Sequence, residues 1–263
     1  MLGRPVLFDF TGKPPDPDWI VHGLIERGTI TVLSADSGAG KSLVCKSMAV
    51  AIMHETTWIG RPTCGERVMF VDEENFLRVV HGRFSALGMT NDDRDQLRYF
   101  LRIGVQLGSA DWMERVRAEM DEFRPDILFI DTAAAATSVE VNDNTGVARL
   151  FATSLRPLAD YSAVVLLHHE RKPAQGFKRN AAHAMMGARQ WAGQADAHLS
   201  IEKLGEVEVD EHPDGSMTKR YPIRLEMPKS RDGDTVNEAL AIVSEHDVGS
   251  TTPRWLRVER TRP

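Results

Sequence analysis

Ser34-Ala-Asp-Ser-Gly-Ala-Gly-Lys-Ser42 is the stretch on which the fold of this chain turns. The residues before it, Gly28-Thr-Ile-Thr-Val-Leu-Ser34, are apolar and β-branched and read as a short buried strand. After it, Lys41 to Met53 carries Leu43, Val44, Met48, Ala51 and Ile52 at helical spacing without a breaker. A phosphate loop of the form Gly-x-x-x-x-Gly-Lys-[Ser/Thr] has this setting, and Ala35, Gly40, Lys41 and Ser42 fill its fixed positions, with Ala in place of the first Gly. Gly38 and Gly40 lack a Cβ, so the backbone can take positive φ and turn the N–H groups from Asp36, Ser37 and Ala39 through Leu43 toward phosphate oxygens. Lys41 supplies a mobile charge for the β- and γ-phosphates, and the Ser42 hydroxyl suits Mg²⁺, which takes oxygen ligands.

Three more strand ends extend the pattern. Val68-Met-Phe-Val71 runs into Asp72-Glu-Glu-Asn75. Ligands of open α/β sheets bind beyond the carboxyl ends of the strands, where a carboxylate can activate the water that attacks a γ-phosphate. At least two of Asp72, Glu73 and Glu74 are expected to do no more than cap the following helix. Ile127-Leu-Phe-Ile-Asp131 is four apolar residues ending in Asp, the form of a buried parallel strand whose carboxylate holds Mg²⁺. Ala163-Val-Val-Leu-Leu167 ends in His168-His169-Glu170, where an imidazole can hydrogen-bond the γ-phosphate.

Helices are expected over residues 76–87, 111–123 and 145–156, the last ending near Pro157, with a charged turn and weak strand over 92–108. Trp19, Ile20, Leu24 and Ile25 are expected to pack on the edge of the sheet. Residues 171–189 form the sustained basic segment, with Arg171, Lys172, Lys178, Arg179 and Arg189 and no acid, suited to a nucleic-acid backbone. From about residue 202 the period changes to two, and candidate strands at 202–209, 221–227, 239–244 and 255–258 read as antiparallel hairpins extending the sheet. The organisation is an extended arm over residues 1–17 and one α/β ATPase domain over 18–263.

The chain has 263 residues, 42% apolar and 27% charged, with a net charge of −6, so nucleic-acid contact must come from local basic loops. Cys45 and Cys64 suggest reduced thiols, and no leader or membrane span is legible, which together predict a cytoplasmic protein without a membrane partner.

Taken together, these landmarks resemble the RecA-like hexameric helicase ATPases, most closely the compact single-domain RepA-type plasmid replication helicases. The resemblance covers roughly residues 19–233 and implies a RecA-like P-loop core with a mostly parallel sheet, ATP and Mg²⁺ as ligands, a homo-oligomeric ring, and single-stranded DNA as partner. It implies Glu74 as catalytic base with Glu73 the alternative, Lys41 on the phosphates, Ser42 and Asp131 on the metal, and His168 as the γ-phosphate sensor. Arg189 resembles an arginine turned to a neighbour's nucleotide. Lys229-Ser-Arg231-Asp-Gly233 resembles the Lys-x-Arg-x-Gly of DnaB-type helicases, which implies Lys229 and Arg231 at a neighbouring site. Rival expectations are a RecA-like recombination or annealing ATPase and a KaiC-like regulatory ATPase without nucleic acid.

Overall fold

The computed structural model describes residues 12–13, 15–140, 142–170, 180–181, 190–230 and 235–261. A small hairpin of β1 (Trp19–Val21) and β2 (Ile25–Glu26) precedes β3 (Ile30–Ala35), which feeds the phosphate loop and α1 (Lys41–Met53). A second small hairpin, β4 (Thr57–Trp58) and β5 (Arg61–Pro62), occupies the loop that follows. Next come β6 (Val68–Asp72), α2 (Leu77–Ala86), a 3₁₀ turn (Asn91–Gln96), β7 (Leu97–Leu101), α3 (Ala110–Phe123) and β8 (Ile127–Asp131). The segment expected as one helix over 145–156 is α4 (Asn144–Leu150), a π turn (Phe151–Leu155) and α5 (Arg156–Ala159). Pro157 therefore starts a helix rather than stopping one, because the wider turn ahead of it accommodates the missing N–H. After β9 (Ala163–His169), α6 (Gln190–Gln194) and β10 (Ala197–Lys203) come the antiparallel strands β11 (Glu208–Glu211), β12 (Met217–Lys229), β13 (Asn237–His246) and β14 (Pro253–Arg260). Of the strand expected at 202–209, β10 takes only the start, and the chain breaks around Gly205 before β11.

The large sheet has the order β14-β13-β12-β10-β3-β9-β8-β6-β7, with β11 on β12. The six strands from β7 to β10 are parallel, and those beyond β10 pair antiparallel. The chain leaves β3, crosses two positions to build β6, and returns later to insert β9 between β3 and β8. The phosphate loop, the Asp131 strand end and the two histidines thus meet at one edge, because parallel strands bring their carboxyl ends together.

Each face of the parallel strands is buried. Leu33, Val68, Phe70, Ile127, Phe129, Val165 and Leu167 pack with α1, whereas Val32, Met69, Leu128, Ile130, Val164 and Leu166 pack with α3 and the α4 to α6 layer. Ile20, Leu24 and Ile25, expected on the edge of the sheet, are instead buried in the first core, and the Trp19 ring lies 5.9 Å from that of His22. The antiparallel extension does not continue flat. Ile223, Leu225, Leu240 and Ile242 enter the core around α1, Ile242 presses on Gly40, Thr252 presses on Gly82 of α2, and Arg61 donates to Glu238 at 2.5 Å. The hairpins therefore curl over α1.

Lys46 of α1 and Asp72 at the end of β6 are both 0% exposed, with Nζ 3.3 Å from Oδ2. The rings of Phe70, Phe84 and Tyr99 surround the ammonium with centroids 5.3 to 6.0 Å away, a cation–π cage. Tyr99 donates its hydroxyl to Asp72, and the Asn75 amide nitrogen lies 3.0 and 2.9 Å from the two carboxylate oxygens. Burial alone would push the Asp72 carboxyl up, but Lys46, Tyr99 and Asn75 outweigh it and hold it below the usual carboxylate range. We expect Lys46→Ala to cost about 3–5 kcal/mol in urea denaturation at pH 7, because it leaves a buried carboxylate unpaired. A carboxylate whose native pKa is depressed stabilises the fold above its unfolded pKa of about 4, and this contribution is lost as pH falls through the lower native value. The wild type should accordingly lose this increment below about pH 4, and Asp72→Asn should show a flatter acid limb.

Candidate active site

The phosphate loop is shaped by two left-handed glycines, Gly38 at φ 68° and Gly40 at φ 92°, and Gly40 caps α1 with no side-chain partner. The φ of 92° favours glycine at position 40, and a Cβ there would lie 2.4 Å from Cδ1 of Ile242, so that side chain would have to turn aside. The uncapped N–H groups of the first turn of α1 are left for an anion, which the helix dipole also favours. Lys41 folds back to donate to the carbonyls of Ala35 (2.9 Å) and Asp36 (3.2 Å). Its burial lowers the ammonium pKa against the opposing pull of Asp131 and Glu74. Ser37, Gly38, Ala39, Gly40, Lys41, Ser42 and Leu43 line one end of a cleft of about 700 Å³, while Asp36 contributes its carbonyl to the loop's internal bonds.

The three acids after β6 separate cleanly. Asp72 belongs to the buried Lys46 cluster and accepts from the N–H groups of Glu74 and Asn75. Glu73 accepts from the N–H groups of Gly104 and Val105 at 3.1 and 3.0 Å, which pins the loop after β7. Glu74 lines the cleft, and its Oε1 accepts from the Thr132 hydroxyl at 3.0 Å. Asp72 and Glu73 are thus tied into the fold, but neither caps the following helix as expected, since α2 follows Phe76 with no side-chain cap.

Asp131, at the end of β8, is 1% exposed. Burial raises its pKa, aided by Asp72 and Glu74 and opposed by Lys46 and the Ser42 hydroxyl. Its Oδ2 accepts from the Asn75 amide at 3.3 Å, while Oδ1 is buried with no hydrogen-bond partner among the described residues. An orphaned carboxylate oxygen beside a serine hydroxyl at a phosphate loop fits a Mg²⁺ ion, whose remaining positions go to water and phosphate oxygens.

The histidines at the end of β9 face opposite ways. His169 continues the face of Val165 and Leu167, lines the cleft, and lies 3.4 Å from Lys41 Nζ through Nδ1 and 3.3 Å from Glu74 Oε1 through Nε2. A lysine ammonium can only donate, so Nδ1 accepts and the proton sits on Nε2, which donates to Glu74. His168 continues the face of Val164 and Leu166, is 2% exposed, and its ring packs 4.7 Å from that of Trp191. Its Nδ1 donates to the His169 carbonyl at 2.7 Å, and burial pushes its pKa down to about 4. The sensor expected at His168 is therefore corrected to His169 as the imidazole in the cleft.

Lys229 donates to the carbonyls of Ala192, Gly193 and Ala195 at 2.8, 3.1 and 2.6 Å, on the far side of β10 from the phosphate loop, and is not among the cleft residues. Arg171, Lys172, Lys178, Arg179, Arg189 and Arg231 lie outside the described residues. Several cleft residues carried no sequence signal. Asn75 and Arg83 are brought together by a 3.2 Å bond from Nη1 to Oδ1, and Arg83 enters from α2. The curled extension supplies the other end of the cleft with Tyr221, Pro222, Ile242, Ser244 and His246. These positions sit some 150 residues or more beyond the phosphate loop, and period-two patterning told which residues alternate, not what the strands cover.

A parallel sheet with helices on both faces, a phosphate loop between strand and helix, and carboxylates on adjacent strand ends define a P-loop NTPase. The chain belongs to the AAA domain family, whose model matches residues 4–175. No curated protein matches the chain. Among the described residues no helix is long and apolar enough to cross a membrane.

We expect Asp131→Asn to remove most of the Mg²⁺ dependence of ATP affinity. A titration with fluorescent ATP analogue should show wild-type affinity falling at least about tenfold in EDTA, and the variant changing by less than about twofold.

Proposed function

We propose that the cleft binds Mg²⁺·ATP and hydrolyses its γ-phosphate, with Glu74 as the base, and that hydrolysis drives a ring, expected to be a hexamer, along single-stranded DNA. The observation that carries the ATPase half is convergence: Lys41, Ser42, Glu74 and His169, which line one cleft, meet Asp131 at the carboxyl ends of β3, β6, β8 and β9. Lys41 and the loop N–H groups bind and orient the β- and γ-phosphates. When bound, Mg²⁺ held by Ser42 and Asp131 neutralises phosphate charge. Glu74 takes a proton from water as its oxygen attacks the γ-phosphorus, the bond to the β–γ bridging oxygen breaks, and ADP departs. His169, already within reach of Lys41 and Glu74, is suited to donate to the γ-phosphate and to register its loss. The apolar far wall of Tyr221, Pro222 and Ile242 suits a base and ribose.

The DNA half is supported by the family resemblance and by the basic run that begins two residues after His169, with Arg171, Lys172, Lys178 and Arg179. Such a run could follow a phosphate backbone while β9 carries the state of the γ-phosphate to its base. Arg189 and Arg231 are the candidates for an arginine supplied to a neighbouring site.

Glu74→Gln should lower steady-state hydrolysis by about 10²- to 10⁴-fold and leave ATP binding nearly intact. His169→Ala should lower kcat, whereas His168→Ala should act on thermal stability through the lost packing on Trp191. Tyr221→Ala should weaken ATP binding without weakening that of inorganic tripolyphosphate. Single-stranded DNA should stimulate hydrolysis several-fold, and Lys178→Ala/Arg179→Ala should remove the stimulation. Hydrolysis indifferent to every nucleic acid tried would replace the motor with a regulatory ATPase, and open filaments in place of closed rings under the electron microscope would favour a recombination protein.

A further inference from the structure

Glu74 sits on a flexible side chain, 41% exposed, in the segment between β6 and α2. A base on such a tether needs its carboxylate plane held, because small misplacements of a reacting group cost large factors in rate. Two donors meet it, and both meet the same oxygen. The Thr132 hydroxyl is 3.0 Å from Oε1 and His169 Nε2 is 3.3 Å from Oε1, while Oε2 has no hydrogen-bond partner among the described residues.

Thr132 is built to hold that geometry. It is 1% exposed and directly follows Asp131. Its carbonyl accepts from the N–H groups of Ala135 and Ala136 at 3.1 and 2.9 Å. On one side the Asp131 carbonyl accepts from the Glu73 N–H at 2.8 Å, and on the other the Ala133 N–H donates to the Leu167 carbonyl at 2.9 Å. The residues around Thr132 are thereby laced both to the segment that carries Glu74 and to the strand that carries His169. His169 is free to trade its contact for a phosphate oxygen, since it reaches Lys41 as well. Among the described residues, the Thr132 hydroxyl has no second hydrogen-bond partner of that kind.

We propose that Thr132 is a positioning residue for hydrolysis: its hydroxyl fixes Oε1 of Glu74 and so leaves Oε2 as the oxygen that receives the proton from water. It keeps that hold when His169 turns to the γ-phosphate. A hydroxyl one residue beyond the metal-side carboxylate thus ties the placement of the base to the placement of Asp131. This rests on Glu74 being the base.

The test compares Thr132→Val, which keeps the shape and loses the donor, with Thr132→Ser, which keeps the donor and loses a methyl. Both are measured as full chain by steady-state ATP hydrolysis, by ATP-analogue titration with Mg²⁺, and by thermal melting beside Glu74→Gln. Thr132→Val should lower kcat roughly ten- to a hundredfold with KM and analogue affinity within about twofold, and Thr132→Ser should recover to within about threefold of wild type. Hydrolysis by Thr132→Val within about twofold of wild type would overturn the proposal. So would a loss of analogue affinity that parallels the loss of rate, which would place the effect at Asp131, or a Thr132→Ser variant as slow as Thr132→Val. If Thr132→Val does not fold, the Thr132→Ser arm decides against Thr132→Ala, with the same split required. Full activity of Glu74→Gln is a separate outcome: it removes Glu74 as base, and the role of Thr132 with it.

Discussion

The salt bridge between Lys46 and Asp72 is the constraint on which the site depends, because it is made entirely out of reach of water. Lys46 lies five residues into the helix that begins at the phosphate loop, and Asp72 ends the strand that precedes Glu74. Neither charge can be buried without the other. Their pairing fixes the distance between the helix that follows the phosphate loop and the strand end that leads to Glu74. Asn75 extends the link, since its amide nitrogen reaches Asp72 and Asp131 while its oxygen accepts from Arg83. One polar network thereby spans the phosphate-loop helix, the Asp131 carboxylate and a cation on α2.

Around that network the parallel sheet acts as a sorter of side chains. Residues at one strand end alternate between faces, so Asp72, Asp131 and His169 fall on the α1 side, whereas His168 falls among the helices of the opposite layer. The insertion of β9 between β3 and β8 brings an imidazole between the lysine and the glutamate. In the cleft, Lys41, His169, Glu74 and Thr132 form a continuous chain of donors and acceptors. On the proposed function, an incoming γ-phosphate would compete for the middle of that chain and so exchange its hydrogen bonds.

The antiparallel strands give the cleft its second wall. Ile242 occupies the space that a side chain on Gly40 would need, so the phosphate loop and the extension are shaped against each other. The ion pairs of Glu238 with Arg61 and Arg260 and the seating of Thr252 on Gly82 hold the curled strands on α1 and α2. A chain ending at β10 would leave α1 without Leu225, Leu240 and Ile242 in its core and the far end of the cleft open.

The sequence by itself determined the class of the fold and the phosphate half of the site. The turn chemistry of Gly38 and Gly40, the lysine and serine after them, and the apolar runs ending in Asp72, Asp131 and His168-His169 are local signals. Local backbone physics suffices to read them. Which histidine faces the cleft was not local. Both faces of a parallel strand are buried, so residues 163–167 show no alternation from which to read the side of residue 168 or 169. The separation of Glu73 from Glu74 also needed the loop after β7, and the far wall needed the curl of strands more than 150 residues downstream of the loop. Those assignments follow from packing between distant segments, which only the tertiary structure decides.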